Sequence, residues 1–143
     1  MYCTVDDIVA DIGVYDLIQI SNDTENATSI DEALVKSKIE DVGVYIDSYI
    51  SSVIAIPTTN TSDLILLKMI CVSLVVCDLF QRRLKLDYSE SLSERRSKAI
   101  KDLERIRDGQ IKMNSEIKLS ESVSSVKVSQ RTRQFTEDVL GQY

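Results

Sequence analysis

The chain of 143 residues is long enough for one ordinary domain and too short for two. It has one proline and four glycines, and such a scarcity of turn residues disfavours β-sandwiches, propellers and barrels and favours a few long helices. It has no histidine, so the commonest general base and metal ligand is missing, and its net charge of −6 disfavours a protein that coats DNA.

The charge is distributed unevenly along the chain. Residues 1–63 carry 12 acidic side chains against two lysines, a net charge of −10. Residues 64–143 carry 11 acidic and 15 basic side chains, a net charge of +4. This polarity is typical of a subunit that meets different neighbours at its two ends.

Two short helical segments are predicted at the start of the chain. Thr4, followed by two aspartates, favours a helix N-terminus because acidic side chains complement the free N–H groups there. The apolar stripe that follows stops at Gly13, and the apolar residues 15–20 predict one or two further helical turns. The polar loop 21–28 contains acidic residues, but it lacks the glycine and glutamate spacing of an EF-hand, so no metal site is predicted.

A long helix is predicted next. The capping box Ser29–Glu32 would begin it, and the apolar periodicity continues to about Ile54, before Pro57. Gly43 lies in the interior of this helix, where glycine is unfavourable, and so it predicts a close crossing with another helix.

Two more helices are predicted after the proline. The first runs from about Asp63 to Leu86, with Ser62 or Asp63 as its cap, and its first half is apolar nearly all round, which predicts burial on several sides. Its apolar run of residues 64–77 is too short to span a membrane. A second capping box, Ser91–Glu94, predicts a helix that ends at about Arg107, before a glycine stop.

The three cysteines have an odd count and no paired spacing. They are therefore predicted to be small buried hydrophobic residues of a protein in a reducing cytoplasm, not a disulfide framework. The opening residues carry no basic region, so we expect no signal peptide.

The composition changes after the last predicted helix. Residues 112–134 are rich in serine and cannot bury enough apolar surface to fold alone, although the alternating residues 126–128 could add a strand to another chain. Basic and large apolar residues return at the end. We therefore predict a helical domain over residues 1–111 and an extended C-terminal arm over residues 112–143. The arm carries the predicted partner contacts: Arg131, Arg133, Phe135, Leu140 and Tyr143.

Catalytic motifs are missing from the sequence. Without histidine there is no Ser/His/Asp or Cys/His set, and the four glycines are too scattered to form a phosphate-binding loop. We expect no cofactor, no metal and no enzymatic activity. The predicted fold class is all-α, a small bundle of about four helices with an extended C-terminal tail.

An ordered set of segments resembles the phage head–tail connector, or neck adaptor, proteins of the branch found in Mu-like prophages. The matching segments cover most of the chain, and their order and spacing carry the resemblance more than any one of them. They are Met1–Ile8 with Gly13, Asp16–Ser21, Ile46–Ile50 with Ile56-Pro57, Cys71–Phe80, Arg95–Gly109 and Arg133–Leu140.

The resemblance implies a structural virion protein. Its helical bundle would form a ring of twelve copies in the virion neck, after assembly in the host cytoplasm. The ring would dock beneath the portal protein, meet a stopper or tail-terminator protein below, and extend the channel through which DNA passes without sequence-specific binding. The C-terminal segment would reach into the portal or an adjacent subunit.

An alternative interpretation of the sequence does not involve a phage protein. A non-enzymatic helical adaptor or regulator of bacterial origin, binding one protein partner as a monomer or dimer, is equally compatible with the composition.

Overall fold

A computed structural model of the chain describes residues 1–24, 26–83 and 89–115. The fold is all-α, as predicted. Five helices occupy the described residues, one more than the bundle of about four that the sequence predicted, because the apolar residues after Gly13 form a complete short helix and not only one or two turns. The helices are α1 Val5–Ile12, α2 Val14–Ser21, α3 Glu32–Ile50, α4 Thr61–Arg83 and α5 Glu90–Arg107.

The predicted signals at both ends of α1 are confirmed. Thr4 forms a capping box with Asp7: the Asp7 N–H donates to the Thr4 hydroxyl at 3.3 Å, and the Thr4 N–H donates to the Asp7 carboxylate at 2.9 Å. Gly13 follows with φ of +86°, a conformation that side chains rarely adopt, and its N–H donates to the Val9 carbonyl at 2.8 Å. One glycine therefore separates α1 from α2.

The predicted caps of the three long helices are wrong by two or three residues. Asp31 rather than Ser29 caps α3, because its carboxylate accepts from the Leu34 N–H at 3.0 Å. The Asn60 side chain accepts from two N–H groups at the start of α4. Ser89 rather than Ser91 caps α5. In each case the residue directly before the helix has a side-chain oxygen that can accept these hydrogen bonds, and it is the cap.

The ends of the long helices also depart from the prediction. Helix α3 ends at Ile50, not Ile54, because the carbonyl of Ile50 accepts from both Val53 and Ile54 N–H groups and tightens the last turn. Helix α4 is described to Arg83, so its predicted end at Leu86 lies outside the described residues. Helix α5 ends at Arg107, as predicted, and Gly109 follows with φ of +72°.

Helix α4 is the central element of the fold. It packs against each of the other four helices, while α3 and α5 also pack against each other, and α1 and α2 lie together on α4 and α3. The second half of α4 is buried on several sides, whereas its first half, for which the sequence predicted such burial, leaves Ile65 and Met69 exposed. The fully buried residues of the core include Ile39, Ile46, Leu67, Val75 and Leu103.

Gly43 does not mark a close helix crossing, contrary to the prediction. A Cβ atom built at this position would meet nothing within 4 Å. The residue lies in α3 beside a shallow hollow and not against the backbone of a neighbouring helix.

The last described residues are tied to the start of α4. The buried Asp63 carboxylate accepts from the Asn114 N–H at 2.9 Å and from the Ser115 N–H at 2.7 Å. Met113 is buried beside them. These three residues pack with the helical body, although the sequence placed them in an arm that begins at residue 112. The rest of that predicted arm, residues 116–143, lies outside the described residues.

Part of the opposite charge of the two halves meets within the subunit. Three ion pairs join acidic side chains of the N-terminal half to basic side chains of the C-terminal half. They are Asp7–Lys68 at 3.0 Å, Asp11–Arg95 at 2.8 Å and Asp23–Arg82 at 2.8 Å. Some of the opposite charges of the two halves therefore pair with each other within the subunit and are not available to neighbouring molecules.

All three cysteines are buried free thiols, as predicted. Among the helices in the described part of the chain, none is both long and apolar enough to cross a membrane.

Candidate interaction surface

Helix α4 is left uncovered on one side of its N-terminal half. Ile65 is 53% exposed and Met69 is 64% exposed, although both lie in the most apolar stretch of the chain. Residues four apart lie on the same face of a helix, so the two side chains form one apolar strip. We call this strip, together with the hollow on each side of Met69, the Met69 surface.

The first hollow lies between α4 and α1. Met69 and Val72 of α4 form its floor, and Ala10 of α1 forms part of its wall. The Asp7–Lys68 and Asp11–Arg95 ion pairs lie along its edge. The hydrogen bond from the Thr4 backbone, followed by the contact with Lys68, lowers the pKa of Asp7, so this carboxylate is charged at neutral pH.

The second hollow lies between α4 and α5. It shares Met69, Ser73 and Arg95 with the first, so the two hollows are continuous. Its far wall consists of Lys98, Ala99 and Asp102 of α5. The Met69 surface is therefore an apolar strip about one helical turn long, with a hollow on each side and charged side chains on both edges.

A second exposed apolar patch lies on α3. Val44 is 71% exposed and Met1 is 74% exposed, and the two line a shallow hollow with Glu40, Gly43 and Asp47. We call this patch the Val44 surface. It shares no lining residue with the Met69 surface, so these two patches of the described residues are separate places at which the subunit could meet other molecules.

Both surfaces are apolar patches with charged borders. In the described ranges no three acidic or cysteine side chains come together as a metal site would require. Two acids at the first hollow, Asp7 and Asp11, are paired with cations. Exposed apolar patches bordered by charged residues are typical of contacts between proteins.

The five predicted partner contacts are not among the described residues. Arg131, Arg133, Phe135, Leu140 and Tyr143 all lie beyond residue 115, so their predicted role stays a prediction.

The polar loop after α2 is held by contacts within the subunit. The Asn22 side-chain amide donates to the Ser29 carbonyl at 2.8 Å. Asp23 accepts from Arg82, and its backbone carbonyl accepts from Arg83 at 3.2 Å. These residues therefore connect the loop to the end of α4.

Neither exposed patch was singled out from the sequence. The apolar run of α4 is nearly uniform, so no change of pattern separates Ile65 and Met69 from their buried neighbours. Val44 in α3 carries a weak signal, because it falls between two acidic positions and outside the buried stripe.

Comparison with known proteins gives one family. A family model described as "Bacteriophage Mu, Gp36" matches residues 2–129, which is most of the chain. No curated protein matches the chain.

Proposed function

Because the chain belongs to the bacteriophage Mu Gp36 family, and is thus a Mu-like phage protein, we propose that it is a structural subunit of the virion neck. In this proposal its copies form a ring of twelve beneath the portal protein. The ring joins the capsid to the tail, contacts a stopper or tail-terminator protein below, and extends the channel through which DNA passes. No catalytic step is part of the proposal.

The observation that carries the proposal is the open side of α4. A helix that packs against four others would ordinarily be covered all round, yet Ile65 and Met69 remain in water. Because each of these side chains is a little more than half exposed, the fold loses roughly half of the about 1.5–3 kcal/mol that full burial of a residue of this size contributes. A neighbouring subunit seated on the Met69 surface would recover it.

The presence of two different patches favours a ring over a simple dimer. A symmetric dimer needs one patch that meets itself, whereas a closed ring needs two patches that meet each other. The Met69 surface has Lys98 at its edge, and the Val44 surface has Glu40 at its edge. Asp102 lies at the same edge as Lys98, so contact of the first surface with the second would have to pair Glu40 with Lys98 and keep it away from that acid.

The arm has the complementary role in this proposal. Residues 112–143 would reach from the helical body to the portal, with Phe135 and Tyr143 as buried anchors and Arg131, Arg133 and Leu140 beside them. Large aromatic residues carry much of the binding energy at interfaces, which is why these two would matter most.

Two variants test the ring and the arm separately. Met69→Glu should lower the ring fraction measured by sedimentation velocity by about tenfold or more, because the contact would bury an unpaired carboxylate. Tyr15→Glu is the matched control, since Tyr15 is 74% exposed on α2 and lines neither surface. Equal loss with both variants, or none with Met69→Glu, would contradict the assignment of the interface.

Deletion of residues 130–143 tests the arm. The truncated chain should remain folded, as judged by circular dichroism, and should no longer bind purified portal rings in a pull-down. Unchanged portal binding after the deletion would remove the arm from the proposal and leave the ring interface untouched.

The alternative of a bacterial regulator has less support. The family assignment points to a phage protein, and no described feature favours a single monomeric partner. Sedimentation of the purified protein with and without portal separates the two, because a regulator would not enter a portal complex.

A further inference from the structure

Two of the buried cysteines lie side by side although 67 residues separate them in sequence. The Cys3 and Cys71 sulfur atoms are 3.1 Å apart, and their side chains are shielded from water, with Cys3 3% and Cys71 0% exposed. The spacing of the cysteines along the chain does not predict this pair. The third thiol, Cys77, is hydrogen-bonded elsewhere, to the Leu92 carbonyl at 3.4 Å.

The two cysteines differ in how freely they can move. Cys71 is in the middle of α4, where neighbouring helices fix its backbone. Cys3 precedes α1, in a terminal segment of four residues whose first residue is exposed. A disulfide needs the sulfurs at about 2.05 Å, so an approach of about 1 Å suffices, and the terminal segment can supply it.

We propose that Cys3 and Cys71 are a site of reversible disulfide formation, in which a low-molecular-weight disulfide such as oxidised glutathione is the oxidant. The bond would fasten the N-terminal segment to α4. It goes beyond the proposed role in the virion neck and does not depend on it.

The arrangement also indicates which sulfur reacts first. The hydrogen bond with Cys71 lowers the pKa of Cys3, and the nearby Lys68 and terminal ammonium act in the same direction against the effect of burial. The same hydrogen bond, together with burial, raises the pKa of Cys71. Cys3 lies in the segment that can open toward solvent, so its sulfur is the one that oxidised glutathione can reach first.

The chemistry balances as two exchanges. The Cys3 thiolate attacks one sulfur of oxidised glutathione, the glutathione S–S bond breaks, and one glutathione leaves as a thiolate that takes up a proton. Cys71 then loses its proton and attacks the Cys3 sulfur, which forms the protein disulfide and releases the second glutathione as a thiol. The two protein thiols are oxidised by two electrons, and one glutathione disulfide is reduced to two thiols.

The contacts around Cys3 keep this segment closed in the thiol form. The Tyr2 hydroxyl donates to the Asp47 carboxylate of α3, and Lys68 of α4 pairs with Asp7 at the start of α1. The attack on oxidised glutathione requires brief separation of this segment from α4, because both sulfurs are otherwise covered. Because this opening must come first, the reaction is expected to be slow.

Thiol counting on the full-length protein tests the proposal. The protein is equilibrated in buffers with increasing ratios of oxidised to reduced glutathione, quenched in acid, unfolded, alkylated with N-ethylmaleimide and weighed by mass spectrometry. We expect a monomer that has lost two hydrogen atoms and keeps one of its three alkylatable thiols. Peptide mapping should join Cys3 to Cys71, and a reductant should reverse the change.

Two serine variants give the controls. Cys77→Ser should still lose two thiols, whereas Cys3→Ser should form no intramolecular disulfide at any ratio. Oxidation should also raise the urea midpoint of unfolding in the wild type and in Cys77→Ser, but not in Cys3→Ser. Three alkylatable thiols throughout the series, a bridge that includes Cys77, or disulfide-linked dimers would overturn the proposal.

Discussion

The backbone N–H of Ser115 donates to the carboxylate of Asp63 at 2.7 Å, so the last described residue is bound to the first turn of α4. Asn114 donates to the same carboxylate, and Thr58 shares a hydrogen bond with the Ser115 hydroxyl at 2.6 Å. Asp63 is 3% exposed, and a buried carboxylate is tolerated only when such donors surround it.

Replacement of Asp63 is expected to free residues 113–115 from the helical body. Asp63→Asn removes the charge and places an amide N–H₂ group among donors, which should lower the free energy of unfolding by about 1.5–3 kcal/mol. Urea unfolding measures the loss, and limited proteolysis should cut the chain near Met113 sooner. Asp16→Asn, an exposed acid of α2, is the control and should change stability by about 0.5 kcal/mol or less. An unchanged urea midpoint for Asp63→Asn would contradict the role of this carboxylate.

Stability is expected to fall in acid. Burial raises the pKa of Asp63, but the hydrogen bonds from Ser115 and Asn114 outweigh burial and bring the pKa below its ordinary value. The pKa of Asp7 is also lowered. A carboxyl group whose pKa is lower in the folded chain stabilises the fold at a pH above its unfolded pKa, which is about 3.9. That stabilisation is lost as the pH falls through the lower, folded pKa.

Urea midpoints measured from pH 6 down to pH 2.5 test this dependence. The wild type should lose stability below about pH 4, and Asp63→Asn should show a shallower loss because one of the two contributing groups is absent. Equal slopes for the two proteins would mean that Asp63 does not contribute to the acid sensitivity.

The open space beside Gly43 predicts a stabilising substitution. Gly43→Ala adds a methyl group that meets nothing within 4 Å and restricts the unfolded chain, so the free energy of unfolding should rise by about 0.5–1 kcal/mol. Gly13→Ala is the contrasting variant, because φ of +86° at this position strains any side chain, and it should destabilise the fold by about 1 kcal/mol or more. The prediction fails if Gly43→Ala lowers the urea midpoint.

Truncation of the side chain to alanine should have very different effects on stability at two nearby positions of α4. Leu67 is fully buried, so Leu67→Ala should cost about 2–5 kcal/mol of stability. Ile65 is 53% exposed, so Ile65→Ala should change the stability of the single subunit by about 0.5 kcal/mol or less. Thermal unfolding of the dilute protein measures both. A large loss of stability with Ile65→Ala would show that this side chain stabilises the subunit itself and does not serve mainly to contact another molecule.

The sequence predicts which segments of this fold are helical better than it predicts the residue at which each helix begins. The stripe before Gly13, the apolar run of α4 and the glycine after α5 are local signals, and each corresponds to an element or a stop in the structure. The position of the caps is less well determined, because Ser29 and Asp31, or Ser89 and Ser91, offer equivalent oxygen atoms within two residues.

The candidate surfaces and the cysteine pair depend on tertiary packing, and local patterns do not reveal them. Asp63 looks like an ordinary capping acid at a helix start, and only the return of the chain after α5 shows that it is buried. Likewise, Met69 and Cys71 belong to one apolar run. The helices that cover Cys71 and leave Met69 open are brought to α4 by distant parts of the chain.

The anchorage of the chain at Asp63 has a mechanical consequence. Any tension applied beyond Ser115 reaches the helical body first through a buried carboxylate at the head of α4, and from there passes into a helix that packs against each of the other four described helices. A load on the arm would thus be shared by the whole bundle. The first contacts to break would be the small set of hydrogen bonds to Asp63, which acid can release.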